Sequence, residues 1–299
     1  QVVGEVTKSL LENEEETIGN TYFDLQSNSA MQNRIHLFDD GTIGATYTFG
    51  QNFPGFADDR GTGYNYFDGS AWGPWATERV ESDRTGWPAY AAWGENGEII
   101  VAHISGGNQD GLLISTRPEK GSGDWTEALF QGPAGGWEGI VWPRMVTTGT
   151  DNSTVHMIYL TRPTANGGQI YEGQDGALLY SRSNDGGVTW PVQHYLFPEL
   201  NIDHYLGFDG YTYEIHAQGD NIAILIGEPW IDLVLLKSIV CCVSLTNTII
   251  CEYPYPMWST VTPSDTFYFV YGSHALAFDK DGMVHTAFAI NRALSADGT

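Results

Sequence analysis

The chain has 299 residues, enough for one large domain, and its thirteen basic against thirty-seven acidic residues give a formal net charge of -24. A field of that sign repels nucleic acid and other polyanions. Abundant glycine and aromatic residues with few charges suit many short strands joined by turns rather than helices. The sequence has no Gly-rich phosphate loop, no Ser-His-Asp order, no Asp-x-Asp-x-Asp-Gly calcium loop and no Cys-x-x-Cys pair, so neither a cofactor nor a metal is expected.

Residues 1–20, with their acidic run at 12–16, read as a flexible lead-in, and residues 21–299 as one domain. Residues 21–26 read as a first strand. From there a unit of two short apolar strands around a polar turn recurs at residues 35–46, 90–102, 145–157, 215–225 and 275–286. Anchored on Gly41, Gly97, Ser153, Asn221 and Gly282, the units are spaced by 56, 56, 68 and 61 residues, the signature of a repeat with variable loops. A second hairpin falls between anchors at residues 64–72, 112–125 and 178–190. A fourth copy starts at Leu235, but its turn at 239–245 lacks the Asp, Gly and Trp of the others. The pattern predicts an all-β propeller of four-stranded blades, with about five blades begun in this chain. The fifth unit stops soon after Arg292, where its outer strands should follow: either they and a sixth blade belong to a longer parent protein, or the ring closes with fewer blades.

The apolar stretch 231–250 is long enough to span a membrane, but Asp232, Lys237, Ser238 and Asn247 interrupt it, so it reads as two strands. Cys241, Cys242 and Cys251 all lie close to it; a disulfide from Cys251 to one of the other two and buried free thiols are both open. No cationic start with an apolar core is present at Gln1.

The most informative stretch is residues 183–190, where Asn184-Asp185-Gly186-Gly187 joins two β-prone runs as a tight hairpin. Asp185 can accept turn amides, and Trp190 is large enough to plug the space beneath them. The fixed positions Ser183, Asp185, Gly187, Thr189 and Trp190 resemble the Asp-box, or BNR repeat, of the sialidase superfamily of β-propellers. This motif has a structural role. The resemblance covers about residues 21–292 and implies a secreted or cell-surface, monomeric protein that acts on a glycan.

An exo-sialidase of that superfamily holds its substrate's carboxylate with three arginines. It attacks with a tyrosine activated by a glutamate and uses an aspartate on a first-blade loop as acid/base. Guanidinium forks match a carboxylate bidentately, which is why arginine serves there. Asn33-Arg34-Ile35-His36 resembles the superfamily's Arg-Ile-Pro opening, with His for Pro, which implies Arg34 as a carboxylate anchor. Asp58 and Asp59 lie where the acid/base is expected, and Glu214 where the activating glutamate is. Arg144 and Arg292 are the candidate second and third arginines, although neither sits in a superfamily motif, and the nucleophilic tyrosine has no counterpart. Tyr90, His216 and His274 are further polar residues of inner strands, which line a propeller's channel. Each has a structural alternative: cross-blade ion pairs for Arg34 and Arg144, a solvated turn for Asp58 and Asp59, satisfied inner-strand histidines. Exposed aromatics such as Trp72, Trp75, Trp87, Trp137, Trp142, Trp230, Tyr253, Tyr255 and Trp258 supply a second reading, a non-catalytic propeller that binds glycan or protein through its loops.

Overall fold

Each two-strand unit of the sequence folds as an antiparallel hairpin, because apolar residues alternate on either side of a turn that glycine or asparagine can close. The computed structural model describes residues 15–27, 30–31, 33–53, 58–106, 109–229, 231–238, 245–253 and 266–294. The first sheet contains β1 (Ile35–Leu37), β2 (Ile43–Phe49) and β3 (Gly61–Phe67) in that order. Three four-stranded sheets follow. They are built in chain order from β4 (Thr85–Trp93), β5 (Gly97–Ile104), β6 (Leu112–Arg117) and β7 (Thr126–Phe130), and from β8 (Ile140–Thr148), β9 (Thr154–Thr161), β10 (Leu178–Ser183) and β11 (Val192–Leu196). The third comprises β12 (Tyr213–Gln218), β13 (Asn221–Ile226), β14 (Leu233–Ser238) and β15 (Leu245–Cys251). A long ribbon of β16 (Thr266–Phe278) and β17 (Val284–Leu294) ends the described chain.

Every pairing is antiparallel and sequential, and the inner strands β1, β4, β8, β12 and β16 neighbour one another in chain order. This is a β-propeller. Among the described residues the only helical pieces are 3-10 turns at Thr164–Asn166 and Pro198–Leu200, and no helix is long and apolar enough to cross a membrane. The stretch 231–250 supplies β14 and β15, which pair with each other. Its turn at 239–244, with Cys241 and Cys242, lies outside the described residues, as do Trp230, Tyr255 and Trp258; Cys251 carries a free thiol.

The blades are held together by apolar cores between their faces, not within them. Tyr90 and Ile100 meet Phe38 and Tyr64 between the first and second sheets. Ile99, Val101 and Ile114 meet Met157, Tyr159 and Leu179 between the second and third, and Ile158, Leu160 and Leu178 meet Ile215, Ile224 and Leu236 between the third and fourth. Leu225 and Leu233 meet Val270 and Leu276 between the fourth sheet and the ribbon. Among the described residues no such cluster joins the ribbon to the first sheet. There Ile35 and Leu37 of β1, and Tyr268, Tyr271 and Ile290 of the ribbon, are exposed.

Residues 21–26, expected as a strand, run beside β2 without forming one. One backbone bond, Tyr22 N to Gly50 O, and several side chains take the place of a ladder: the Gln26 amide donates to Thr48 O and accepts from Thr48 N, while Thr21 Oγ1 donates to Gly50 O. Residues 15–20 lie against the same sheet, with Trp75 Nε1 donating to Thr17 O and Asn65 Nδ2 to Ile18 O.

The turn at 183–190 is closed on itself. Asp185 accepts from the Thr189 amide at 2.8 Å and hydroxyl at 2.6 Å, and from Ser183 Oγ at 2.8 Å. These bonds hold its carboxyl down at about 2. Ser183 Oγ also accepts Gly187 N, and Trp190 Nε1 donates to Gly187 O while its ring packs 4.7 Å from Phe130. Phe130 belongs to β7 of the preceding sheet, so the motif also fastens two blades.

Gly44 of β2 passes directly over the Tyr90 hydroxyl, leaving no room for a Cβ. Replacing it by alanine forces β2 and β4 apart, and the expected loss is about 1–3 kcal/mol of stability. Urea denaturation of Gly44→Ala measures this; an unchanged midpoint would show that Tyr90 does not pack beneath β2.

Candidate functional site

Two tryptophans mark the site through a shared distortion. In β4 the register with β5 slips between Gly86 and Ala89, and in β8 the register with β9 slips between Val141 and Arg144. Each slip holds a Trp-Pro pair, Trp87-Pro88 and Trp142-Pro143, whose proline has no amide to give the ladder. Both tryptophans sit at positive φ, 55° and 51°. That conformation costs about 1–3 kcal/mol for a non-glycine residue and persists where the surroundings over-determine it. Here each inner strand bends at its start and turns a tryptophan toward the mouth of the channel.

There Trp87, Tyr211 and Trp142 form a continuous aromatic wall, with ring centroids 5.7 and 5.8 Å apart. They line a cleft of about 540 Å³ with Arg60, His103, Asp110 and Arg162. That volume lies within the ordinary range for small-molecule sites.

The electrostatics of this cleft oppose those of the whole chain. Arg60, nearly fully buried, donates from Nε to Thr85 O, stacks over Phe23 and has no partner for Nη2. Arg34 lies behind Trp87, its guanidinium 5.9 Å from the ring; Nη1 bonds Gln26 Oε1 and Thr48 Oγ1, and Nη2 has no partner. Arg144 on β8 donates to the carbonyls of Ala30, Gly210, Trp142 and Pro143. Among the described residues none of these three arginines forms an ion pair. Burial and the Arg144 charge lower Arg34 to about 9, and burial and Arg84 lower Arg60 to about 10, so both stay protonated at neutral pH. His103 accepts the Trp142 amide at Nδ1; burial first, then the charges of Arg60, Arg162, Arg144 and Arg84, keep it neutral.

Carboxylates gather on the fourth blade. Glu214, at the start of β12, accepts from His274 Nδ1 at 2.8 Å, and the other His274 nitrogen lies 3.1 Å from Thr212 O. Glu228 follows β13, where Gly227 N donates to Thr212 O beside the cleft residue Tyr211. Burial, then the Asp209 charge, raises Glu228 to about 7.

The remaining sequence candidates are spread more widely. Asp59 accepts the Gln51 and Asn52 amides at Oδ2, while its buried Oδ1 has no partner; it adjoins Arg60. Asp58 is exposed, its carbonyl bonded by Arg79. Tyr90 donates to Glu98, which also receives Tyr64 and Arg117, in the contact between the first two blades. Tyr90 and His216 line a separate cavity of about 160 Å³ between the inner strands, and burial lowers His216. Arg292 stands on β17 opposite Tyr268. The structure therefore sets Arg34 beside Trp87 and Arg144 on the Trp142 carbonyl, behind the cleft lining, with Asp59 next in the chain to Arg60 and Glu214 bonded to His274, and sets Tyr90 and Arg292 elsewhere. Sequence reasoning did not single out Arg60, His103, Arg162, Tyr211 or Glu228 for the site. The one available signal was Trp-Pro recurring at equivalent places in two units.

No family model and no curated protein matches the chain. Solved structures similar to it include an endo-arabinase from Bacteroides thetaiotaomicron, at 12% identity and TM-score 0.48, covering 95% of this chain and 98% of that one. The six-bladed fucose-binding lectin of Aleuria aurantia aligns at 14% and 0.45, over 86% and 75%. The NanB sialidase of Streptococcus pneumoniae aligns at 12% and 0.45, over 76% of this chain and 32% of its own. Likeness at this level carries no activity across.

Glu228 binds its proton more tightly folded than unfolded. Its contribution to stability is fully present below about pH 4.5 and is lost as pH rises through about 7. Glu228→Gln should match the parent protein at pH 4 and exceed it by about 3 kcal/mol at pH 8. Denaturation at the two pH values checks this; a variant that is less stable at pH 8 contradicts the buried, proton-holding carboxyl.

Proposed function

We propose that the chain is a carbohydrate-active propeller whose cleft takes an acidic sugar and cleaves it from a glycan as an exo-glycosidase of sialidase type. The observation that carries this reading is a set of guanidinium groups that form no ion pair among the described residues, Arg60 in the cleft lining, Arg34 beside Trp87 and Arg144 on the Trp142 carbonyl, in a chain of net charge -24. Buried donors without partners are costly, and a carboxylate at Arg60 Nη2 offsets that cost with a charge-assisted hydrogen bond. Arg34 adds attraction from beside Trp87 and Arg144 from beside Trp142, and the aromatic wall offers flat faces to the sugar ring.

Hydrolysis of a glycoside commonly uses one protonated and one ionised carboxyl, and an enzyme with a tyrosine nucleophile still needs the protonated one as acid. Glu228, which holds its proton near neutrality beside Asp209, is the proposed proton donor to the leaving oxygen. Asp59, with its unpartnered Oδ1, and Glu214, turned toward His274, are the carboxylates available to stabilise the opposing charge. The acidic ligand is consistent with a secreted or cell-surface protein that meets glycans. The second reading, a propeller that binds glycan without cleaving it, draws on the engagement of Glu214 with His274, which leaves one fewer carboxylate free for chemistry.

Release of fluorophore from a methylumbelliferyl sialoside tests the chemistry. Activity should fall as pH rises through about 7, with Glu228 as acid, and Glu228→Gln should abolish that limb. Turnover that does not depend on Glu228 removes it from the mechanism. Absence of turnover with binding retained selects the second reading. Arg60→Ala should weaken affinity for the acidic sugar by about tenfold to hundredfold in either case; unchanged affinity would show that the carboxylate is held elsewhere.

A further inference from the structure

The register of a third inner strand slips as well. In β16 the slip falls between Tyr271 and His274, so that His274 is the first residue paired after it, as Arg144 is in β8. Both residues reach the segment that enters the fourth blade: Arg144 donates to Gly210 O, and His274 Nε2 lies 3.1 Å from Thr212 O. The cleft residue Tyr211 stands between those two carbonyls in the chain. Arginine keeps its charge through neutral pH, whereas imidazole does not.

The hydrogen-bond geometry fixes a proton at His274. A carbonyl only accepts, so Nε2 carries a hydrogen toward Thr212 O. Nδ1 and Glu214 Oε1, 2.8 Å apart, then face each other as two acceptors unless a further proton lies between them. The His274 side chain is wholly buried and that of Glu214 nearly so. Around this pair β16 packs on β12 and β13, where Val270 and Leu276 meet Leu225 and Leu233.

We propose that His274 and Glu214 share this proton as a clasp that holds the β16–β17 ribbon on the fourth blade, and that rising pH releases it. When the ribbon opens, the proton passes to a solvated imidazole, which gives it up to water at about pH 6.5. The closed clasp holds it more firmly, because two acceptors would otherwise meet. Opening therefore becomes easier by up to about tenfold per pH unit above that value. The other charges are placed differently. Glu214 also faces Arg144 from β8 and His216 from its own strand, Glu228 follows β13, and the residue opposite His274 on β17 is the uncharged Phe288. At the ribbon's turn Lys237 of β14 donates to Gly282 O, and the exposed His285 pairs with Asp279.

Hydrogen exchange at pH 6 and pH 9, expressed as protection so that the intrinsic change in exchange rate is removed, tests the clasp on the parent protein and two variants. Glu214→Gln makes the shared proton unnecessary, since the glutamine amide donates to Nδ1 of a neutral imidazole. His274→Asn offers Glu214 a donor that does not titrate. In the parent the amides of β16 and β17 should lose protection by at least about tenfold between the two pH values, while those of β9 keep theirs. In the variants the ribbon should change by less than about threefold, the scale of the exposed His285–Asp279 pair. Ribbon protection that does not fall in the parent overturns the clasp. A fall that persists in either variant belongs to His285 or Glu228 and overturns it too, as does an equal fall in β9, which marks unfolding of the whole domain. No ligand enters the measurement, so its outcome is independent of the sugar reading.

Discussion

Arg144 is a buried charge on an inner strand, and among the described residues no carboxylate is bonded to it. Its guanidinium is held by the carbonyls of Trp142 and Pro143 in the third blade, Ala30 at the entrance to the first, and Gly210 at the entrance to the fourth, and lies 5.0 Å from the Tyr213 ring. One side chain thereby ties three blades at the point where their inner strands begin. A buried ion left without partners would cost several kcal/mol, so those strand starts are fixed by the need to keep their carbonyls aimed inward. The register slip in β8 is part of this arrangement, since it turns the backbone of Trp142 and Pro143 toward the guanidinium of the next residue.

The same solution shapes the mouth of the channel. Carbonyl dipoles solvate Arg144 without cancelling its charge, and Arg34 near it and Arg60 in the cleft lining keep hydrogen-bond donors unused. The surrounding surface carries a large negative charge and repels anions at long range, yet the cleft is locally cationic. Screening reconciles the two: beyond about 8 Å at physiological salt the outer charges fade, while a buried cluster is screened far less. In the proposed function, affinity for an anion is a property of the cleft, and selectivity beyond it passes to the neutral surfaces of Trp87, Tyr211 and Trp142.

Much of the fold was legible because repetition is a property of sequence. The five units at Gly41, Gly97, Ser153, Asn221 and Gly282 correspond to the five successive inner hairpins, and the turn at 183–190 closes through its own side chains. The site was less legible because it is assembled from residues that are equivalent in place but different in type. Arg60 precedes an ordinary strand, and only the approach of Phe23 and Thr85 reveals its burial. Tyr90 illustrates the opposite difficulty. It lies on an inner strand, where a channel role was expected, but the bare backbone of Gly44 lets its hydroxyl reach Glu98 between blades. Glu228 stands in a loop that no periodicity marks, and its proton affinity comes from burial and from Asp209, which only the folded chain brings near.

The central claim is that the cleft recognises negative charge on a sugar. The measurement that tests it most directly is a comparison of N-acetylneuraminic acid with its methyl ester, by calorimetry at physiological salt. The two ligands share ring, hydroxyls and size and differ in one charge. The arginine cluster predicts binding of the acid and loss of that binding in the ester, and equal affinity for the two would contradict it.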